Sequence, residues 1–412
     1  MKPASMQKGS PLSLNDDLLA ACVSCGLCLP HCPTYRATEE ESASPRGRIT
    51  LMRAVENGEI AIDSTFANYM ERCVQCRGCE TACPSGVQFG ALIEQTRSVL
   101  ADVQPAKGAR GMRALLRPLG HHRLLLFGSS LLGIAQRCGM LPKSLAAKAG
   151  LPGRIPIRQP KLVADAGAVD AWLFTGCVMD AWQRDVHAAT LRVMRATGAK
   201  VGLPGASADC CGALHAHSGF HDDARRLAER VMRTCPGFAP IVVNSAGCGA
   251  ALKHYGELLG THEAEEFSER VLDVHEWLAG HLDELPRTES RYPGVVAVQD
   301  PCHLRHVQKA HMAVRTVLSP FATLVEIPDD GRCCGAGGSY QIQQPELAQT
   351  IRADKLASIA LTNATIVASA NPGCSLWLGA TGLAVVHPME IIDQVIAGSP
   401  RSTSNNPASA QR

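Results

Sequence analysis

Nothing in this 412-residue chain offers a nucleotide cradle. No G-x-G-x-x-G opens a helix after an apolar run, and no G-x-x-x-x-G-K supplies a phosphate loop. Charge of one sign is missing too. Forty Lys and Arg face 38 Asp and Glu, a net charge of +2, so composition supplies no basic surface for nucleic acid. The N-terminus "MKPASMQKGSPLSLNDDLL" has neither an apolar h-region nor a small-residue cleavage site, which leads to the expectation of a cytoplasmic chain. The uncharged run Leu124 to Ala135 is twelve residues long, well short of the roughly twenty that span a bilayer.

What the chain has in abundance is cysteine. Eighteen thiols in a reducing compartment argue against disulfides and for metal. Four of them fall in "CVSCGLCLPHCPTY" and four more in "CVQCRGCETACPSG". Both blocks follow C-x2-C-x2-C-x3-C-P, the run in which three thiolates wrap one face of a 4Fe-4S cubane and the fourth serves the neighbouring cluster. That spacing assigns Cys22, Cys25, Cys28 and Cys83 to one 4Fe-4S cluster. It assigns Cys73, Cys76, Cys79 and Cys32 to a second. Paired zinc sites would instead show two separated C-x2-C pairs. The proline after each block is expected to keep a helix from starting there and carrying the fourth thiolate away. Between the blocks, "SPRGRITLMRAVENGEI" reads as a short helix after a basic turn, with Arg46 and Arg48 either facing the anionic clusters or solvated.

From Val99 to Asp165 the chain turns Leu-rich and then Pro-rich, the second part reading as a linker. For Leu124 to Ala135 the ordinary reading is a buried core helix. The flanking Arg113, Arg117, His121, His122 and Arg123 leave a membrane-surface or partner-docking helix open.

The rest of the chain repeats itself. "AWLFTGC", "ADCCGA" and "IVVNSAGC" carry Cys177, Cys210, Cys211 and Cys248, and "VVAVQDPC", "GRCCGAGG" and "IVASANPGC" carry Cys302, Cys333, Cys334 and Cys374. The intervals are 33 and 37 positions in the first copy against 31 and 40 in the second. Short β-rich runs at 171–174, 241–243, 295–298 and 366–368 alternate with helical stretches, the pattern of βαβ units and a parallel sheet. Ligands of such sheets collect beyond the strand C-termini, where four of these cysteines fall. Metal or redox use of the eight repeat thiols is therefore expected. Cys138 and Cys235 stand alone and read as inert.

Twin cysteine blocks, the "PRGR" segment and two CCG repeats in this order resemble the glycolate oxidase iron-sulfur subunit family, from about Leu18 to Ala397. The same plan is similar to lactate-utilisation iron-sulfur proteins, the iron-sulfur subunit of anaerobic glycerol-3-phosphate dehydrogenase, and heterodisulfide reductase subunits. "CCGALHAHSGF", "SAGCGA" and "CCGAGGSY" favour the glycolate member. Heterodisulfide reductases end each repeat with C-x-x-C, supplying five thiolates. Here Ser245 and Asn371 stand at the first of those positions. Four thiolates per repeat could hold a conventional cluster, or one site could draw on both repeats.

The expected fold is a multidomain α+β and α/β chain: a flexible N-terminus over residues 1–17, a helical two-cluster ferredoxin-like domain over 18–98 and a helical connector with a Pro-rich linker over 99–165. Two α/β CCG repeats with parallel sheets follow over 166–285 and 290–397, then a disordered tail over 398–412. Oxidising a 2-hydroxy acid needs a flavin or nicotinamide to take two electrons together. The chain shows no site for FAD or NAD, so no catalytic residue is expected on it. It reads as the electron wire of an oxidoreductase, with additional iron-sulfur clusters at the CCG repeats as an option. The resemblance implies FAD-containing glycolate oxidase subunits as partners. It also implies a quinone-type acceptor, reached from the inner face of the cell membrane.

Overall fold

A computed structural model describes residues 11–105, 109–142, 150–205 and 210–398. Residues 1–10 and 399–412, where the flexible N-terminus and the tail were expected, lie outside the described residues. The described part of the segment expected to be flexible, residues 11–17, is held in place. Leu12 and Leu14 are buried, and both of their amides bind the Glu56 carboxylate. Asn15 then caps the Asp16–Ala20 helix by accepting from the Asp17 and Leu18 amides.

The N-terminal unit is helical: Pro33–Thr38, Pro45–Glu56, Ser64–Glu71, Gly78–Thr81 and Phe89–Val103 surround one apolar core. Ser44 caps the Pro45–Glu56 helix and Pro45 takes its first position, where the missing N–H costs nothing. That helix buries Ile49, Met52 and Val55, three residues at helical spacing, against Phe66, Met70, Leu92 and Ile93. Pro33 also opens a helix, with Cys32 at its cap. The expectation that proline keeps a helix from starting fails here, because its fixed φ suits the first helical position. After Cys83 and Pro84 no helix begins until Phe89.

Each repeat holds a four-stranded parallel sheet. In the first, β1 (Ala171–Phe174), β2 (Val201–Gly202), β3 (Ile241–Val243) and β4 (Val271–Asp273) lie in the order β2-β1-β3-β4. In the second, β5 (Val295–Gln299), β6 (Thr323–Glu326), β7 (Ile366–Ser369) and β8 (Val385–Val386) lie in the order β6-β5-β7-β8. The register pairs Leu173 with Val242 and Ala297 with Val367 at the two sheet centres. Both central strands of each sheet match the β-rich runs of the sequence. The edge strands do not announce themselves by pattern: β2 and β8 have two residues each, and β4 and β6 end on a carboxylate within a mixed stretch.

One apolar core runs through both repeats, from Leu173, Leu191 and Val242 to Val296, Val386 and Ile392. The Arg184–Ala196 helix lies on the Pro388–Ile396 helix, and Arg192 grips the Asp393 carboxylate with two hydrogen bonds of 2.7 Å. The two repeats form one body.

The connector departs from expectation. The 98/99 boundary falls inside the Phe89–Val103 helix, and the Pro-rich stretch is docked rather than free: Ile155 is fully buried and its amide binds Gln136 at 2.8 Å. The His122–Arg137 helix is not a buried core helix: only Ser129 and Gly133 are buried, Leu125 packs partly against Leu116, Leu119 and Cys177, and Leu124, Phe127, Leu131 and Ile134 are exposed. Among the described residues no helix is long and apolar enough to cross a membrane.

Candidate metal centres

All eighteen cysteines lie in described segments, and every one is a free thiol. In the first block the chain between Cys22 and Cys28 passes through left-handed residues at Ser24 and Gly26. In the second it does the same at Gln75 and Arg77, again two and four positions beyond the first cysteine. Alternating right- and left-handed residues turn successive amides to one side, making a nest for negative charge. The Gln75 amide accordingly points at Cys73 Sγ from 3.4 Å. Held in that conformation, non-glycine residues store strain of about 1 kcal/mol or more each, as functional loops often do.

The two blocks build two adjoining recesses. One is lined by Cys22, Cys25, Cys28 and Cys83, with Arg46 at its side. The other is lined by Cys32, Cys73, Cys76 and Cys79, with Arg48 and Arg77. The fourth cysteine of each block thus crosses to the recess of the other block, and Cys79, Pro45 and Phe89 border both. Arg48 is fully buried and not solvated. It donates to the Ala43 carbonyl at 2.6 Å and the Tyr69 carbonyl at 2.7 Å, leaving its charge without a carboxylate beside the second recess. Arg46 is half-buried, bound to Glu41 and to the Ser24 carbonyl of the first loop. Burial pushes the Cys76 and Cys79 thiols well up. Binding a cation there relieves that cost.

Among the described residues no three His, Cys, Asp or Glu side chains close on a point as one metal ion requires. Thiols ringing a recess, amides aimed at sulfur and arginines at the wall suit a larger anionic body, and a 4Fe-4S cluster fits that donor set.

In the repeats the thiols gather at the strand C-termini. Cys177 follows β1 and Cys248 follows β3, on either side of the point where the strand order reverses, and Cys302 and Cys374 repeat this beyond β5 and β7. Hydrogen bonds link Cys177 to Cys210 and Cys211 to Cys248. In the second copy they link Cys302 to Cys333, and Cys334 to Cys374 at 3.2 Å. Hydrogen bonding to neighbouring thiols pushes Cys210 and Cys333 up and holds Cys211 and Cys334 well below the usual thiol range. Each repeat therefore converges its own four thiols. The glycines after the pairs are required. Gly212 (φ +82°) and Gly335 (φ +85°) sit in the left-handed region, and a Cβ on Gly335 would stand 2.6 Å from the Ala348 carbonyl oxygen.

Asn371 bridges the two repeats. Asn371 Nδ2 donates to Cys374 Sγ at 3.4 Å, while its Oδ1 accepts from the Gly247 amide of the other repeat at 3.1 Å. The lone cysteines divide: Cys235 is buried, its thiol pushed up to about 11 by burial, and Cys138 is exposed at a helix end.

Sequence reading missed the residues that join these sites. The loop of the second recess touches both repeats through Gln75, whose side chain donates to the His217 carbonyl at 2.8 Å and whose own carbonyl accepts from His303. His217 and His303 lie with ring centroids 5.3 Å apart, and Glu94 approaches His217 at 3.5 Å. Burial opposes charge on Glu94, yet the hydrogen bond with His217 wins and holds the carboxyl down to about 2. Burial likewise lowers His303 to about 3, so its ring is neutral. Arg97 donates to the carbonyls of Met70, Glu71, Cys73 and His217 at once. Their available signal was position: His303 adjoins Cys302, and His217 lies in the stretch after the first CCG pair. Beyond these contacts, Val74 and Cys76 share one core with Cys302, Cys333, Cys334 and Cys374.

Two cubane-type recesses on a helical unit and two thiol-bearing parallel sheets define an iron-sulfur protein. Residues 18–87 match the 4Fe-4S dicluster domain, and residues 171–253 and 296–379 each match the cysteine-rich CCG domain. A Bacillus subtilis protein described as "Probable glycolate oxidase iron-sulfur subunit" is 32% identical over 89% of this chain and 89% of its own. The Escherichia coli glycolate oxidase iron-sulfur subunit is 31% identical over 92% of this chain and 95% of its own. A subunit of the dihydromethanophenazine:CoB–CoM heterodisulfide reductase of Methanosarcina mazei is 28% identical over 92% of this chain and 93% of its own. The chain belongs to the family of glycolate oxidase iron-sulfur subunits.

Proposed function

We propose that this chain is the electron relay of a glycolate-oxidising complex, taking electrons from an FAD-bearing partner and passing them to a quinone-type acceptor at the inner face of the cell membrane. Cys22, Cys25, Cys28 and Cys83 hold one 4Fe-4S cluster, and Cys73, Cys76, Cys79 and Cys32 hold the other. Cys177, Cys210, Cys211 and Cys248 form one further iron-sulfur site and Cys302, Cys333, Cys334 and Cys374 another. When bound, such clusters accept and release one electron at a time.

The observation that carries the reading is the shared core of Cys76 with Cys302 and Cys333, which sets the buried recess directly against the thiols of the second repeat. The protein's own residues do three things there. Buried thiols and carbonyl-bound Arg48 and Arg97 keep water out and positive charge close. Gln75 and His303 hold the two loops in register. Asn371 ties the second thiol set to the first repeat.

The test is dye reduction. The isolated chain should not oxidise glycolate, lactate or glycerol 3-phosphate, and activity should appear only with its flavin partners, with glycolate faster than lactate. Preference for lactate would move the substrate to a related complex. Turnover by the isolated, flavin-free chain would overturn the relay. Iron analysis should exceed eight per chain and fall towards eight when Cys210, Cys211, Cys333 and Cys334 all become Ser.

A further inference from the structure

The His122–Arg137 helix is turned inside out. Its inward face is mostly small and polar, with half-buried Leu125 the apolar exception: Ser129 accepts from Trp182 Nε1 at 3.1 Å, Gly133 lies against the Ile155 carbonyl, and Gln136 binds the Pro152 carbonyl and the Ile155 amide. Its outward face is apolar. Leu124, Phe127, Leu131 and Ile134, spaced as one helical stripe, are between 44% and 63% exposed, and Leu115 of the neighbouring Ala109–Leu116 helix is 54% exposed beside a basic rim. A helix packed only to serve the fold would bury that stripe.

The charge around the stripe says what covers it. Between Asp102 and Asp165 the sequence contains eleven Lys and Arg and no Asp or Glu, although the whole chain is nearly neutral, so the remainder is acidic. Arg110, Arg117, Arg123 and Arg137 are exposed and make no ion pair with a carboxylate among the described residues. Arg117, His121, His122 and Arg123 ring a recess at the start of the helix. An apolar ridge with cations of one sign on its flanks matches an anionic lipid leaflet, where Leu and Phe enter the acyl boundary and Arg meets phosphate.

We propose that this face, the outward stripe of His122–Arg137 with the unpaired Arg110, Arg117 and Arg123 beside it, seats the chain peripherally on an anionic bilayer. The proposal extends the relay reading by naming the surface that brings it to a lipid-borne acceptor. It can fail alone, because vesicle binding by this chain needs neither substrate nor flavin partner.

The experiment is co-sedimentation of the full, cluster-loaded chain with vesicles of phosphatidylcholine alone or mixed about three to one with phosphatidylglycerol. Binding is expected only to the anionic vesicles, weakening at high salt. The double variants Phe127→Glu with Leu131→Glu, and Arg117→Glu with Arg123→Glu, should each lose about tenfold or more in affinity. These side chains are exposed, and an unchanged cluster absorbance confirms the fold. No binding to anionic vesicles overturns the proposal, as does undiminished binding by both variants. Loss of the flavin partners by these variants without any vesicle binding by the parent chain would make the face a subunit interface and overturn it equally.

Discussion

His303 donates its Nε2 proton to the backbone carbonyl of Gln75 at 3.0 Å, so the residue after Cys302 holds the loop between Cys73 and Cys76. A ring buried and neutral is suited to this, since it makes the bond without bringing an uncompensated charge between two anionic sites. His303→Ala would leave that carbonyl and part of the His217 contact unpaired. The expected loss is about 1–3 kcal/mol in chemical denaturation, against less than about 1 for His306→Ala, whose bond to Thr81 is exposed. Equal losses would remove His303 from the joint.

Crossed ligation makes a second prediction. Because Cys83 lines the recess of Cys22, Cys25 and Cys28, Cys83→Ser should perturb the cluster of that set and spare the one held by Cys73, Cys76 and Cys79. Electron paramagnetic resonance that resolves the two clusters decides it. Damage confined to the second cluster would show ligation within each block.

Gly335→Ala tests the second repeat. At φ +85°, with the Ala348 carbonyl 2.6 Å from the new Cβ, the substitution should destabilise the chain by about 1–3 kcal/mol, and iron should fall at the second repeat. Gly139→Ala, also at positive φ but in open space, should cost less and leave iron content unchanged. Iron content and thermal unfolding read both.

Glu390 makes a pH prediction. Burial, with Asp185 and Asp393 nearby, raises its carboxyl to about 7, while the His387 amide it accepts from opposes the shift. A raised acid favours the protonated folded state. Its contribution is therefore complete below its ordinary value of 4.5 and is lost as pH climbs through about 7. Glu390→Gln keeps the capping bond and stays neutral. Relative to the parent it should gain on the order of 1–2 kcal/mol between about pH 5 and pH 8, allowing for partial exposure. A difference independent of pH would place the carboxyl's titration elsewhere.

The sequence by itself determined the eight-cysteine pattern, the two CCG repeats and the two central strands of each sheet. These are local or periodic signals: C-x2-C-x2-C imposes a tight loop wherever it occurs, and β1, β3, β5 and β7 are apolar runs bounded by turns. Tertiary structure alone decided the rest. The edge strands exist because their neighbours pair with them, as Val201 does with Ala171. Arg48 and Arg97 look like ordinary helix arginines until folding seals them among carbonyls. Gln75, His217 and His303 come from three separated stretches, and only the docking of the helical unit on both repeats makes them one cluster. The His122–Arg137 helix shows the same limit from the other side. Its periodicity marks an apolar stripe but not its direction, and the small face of Ser129 and Gly133, fitted closely against Trp182 and Ile155, turned that stripe outward.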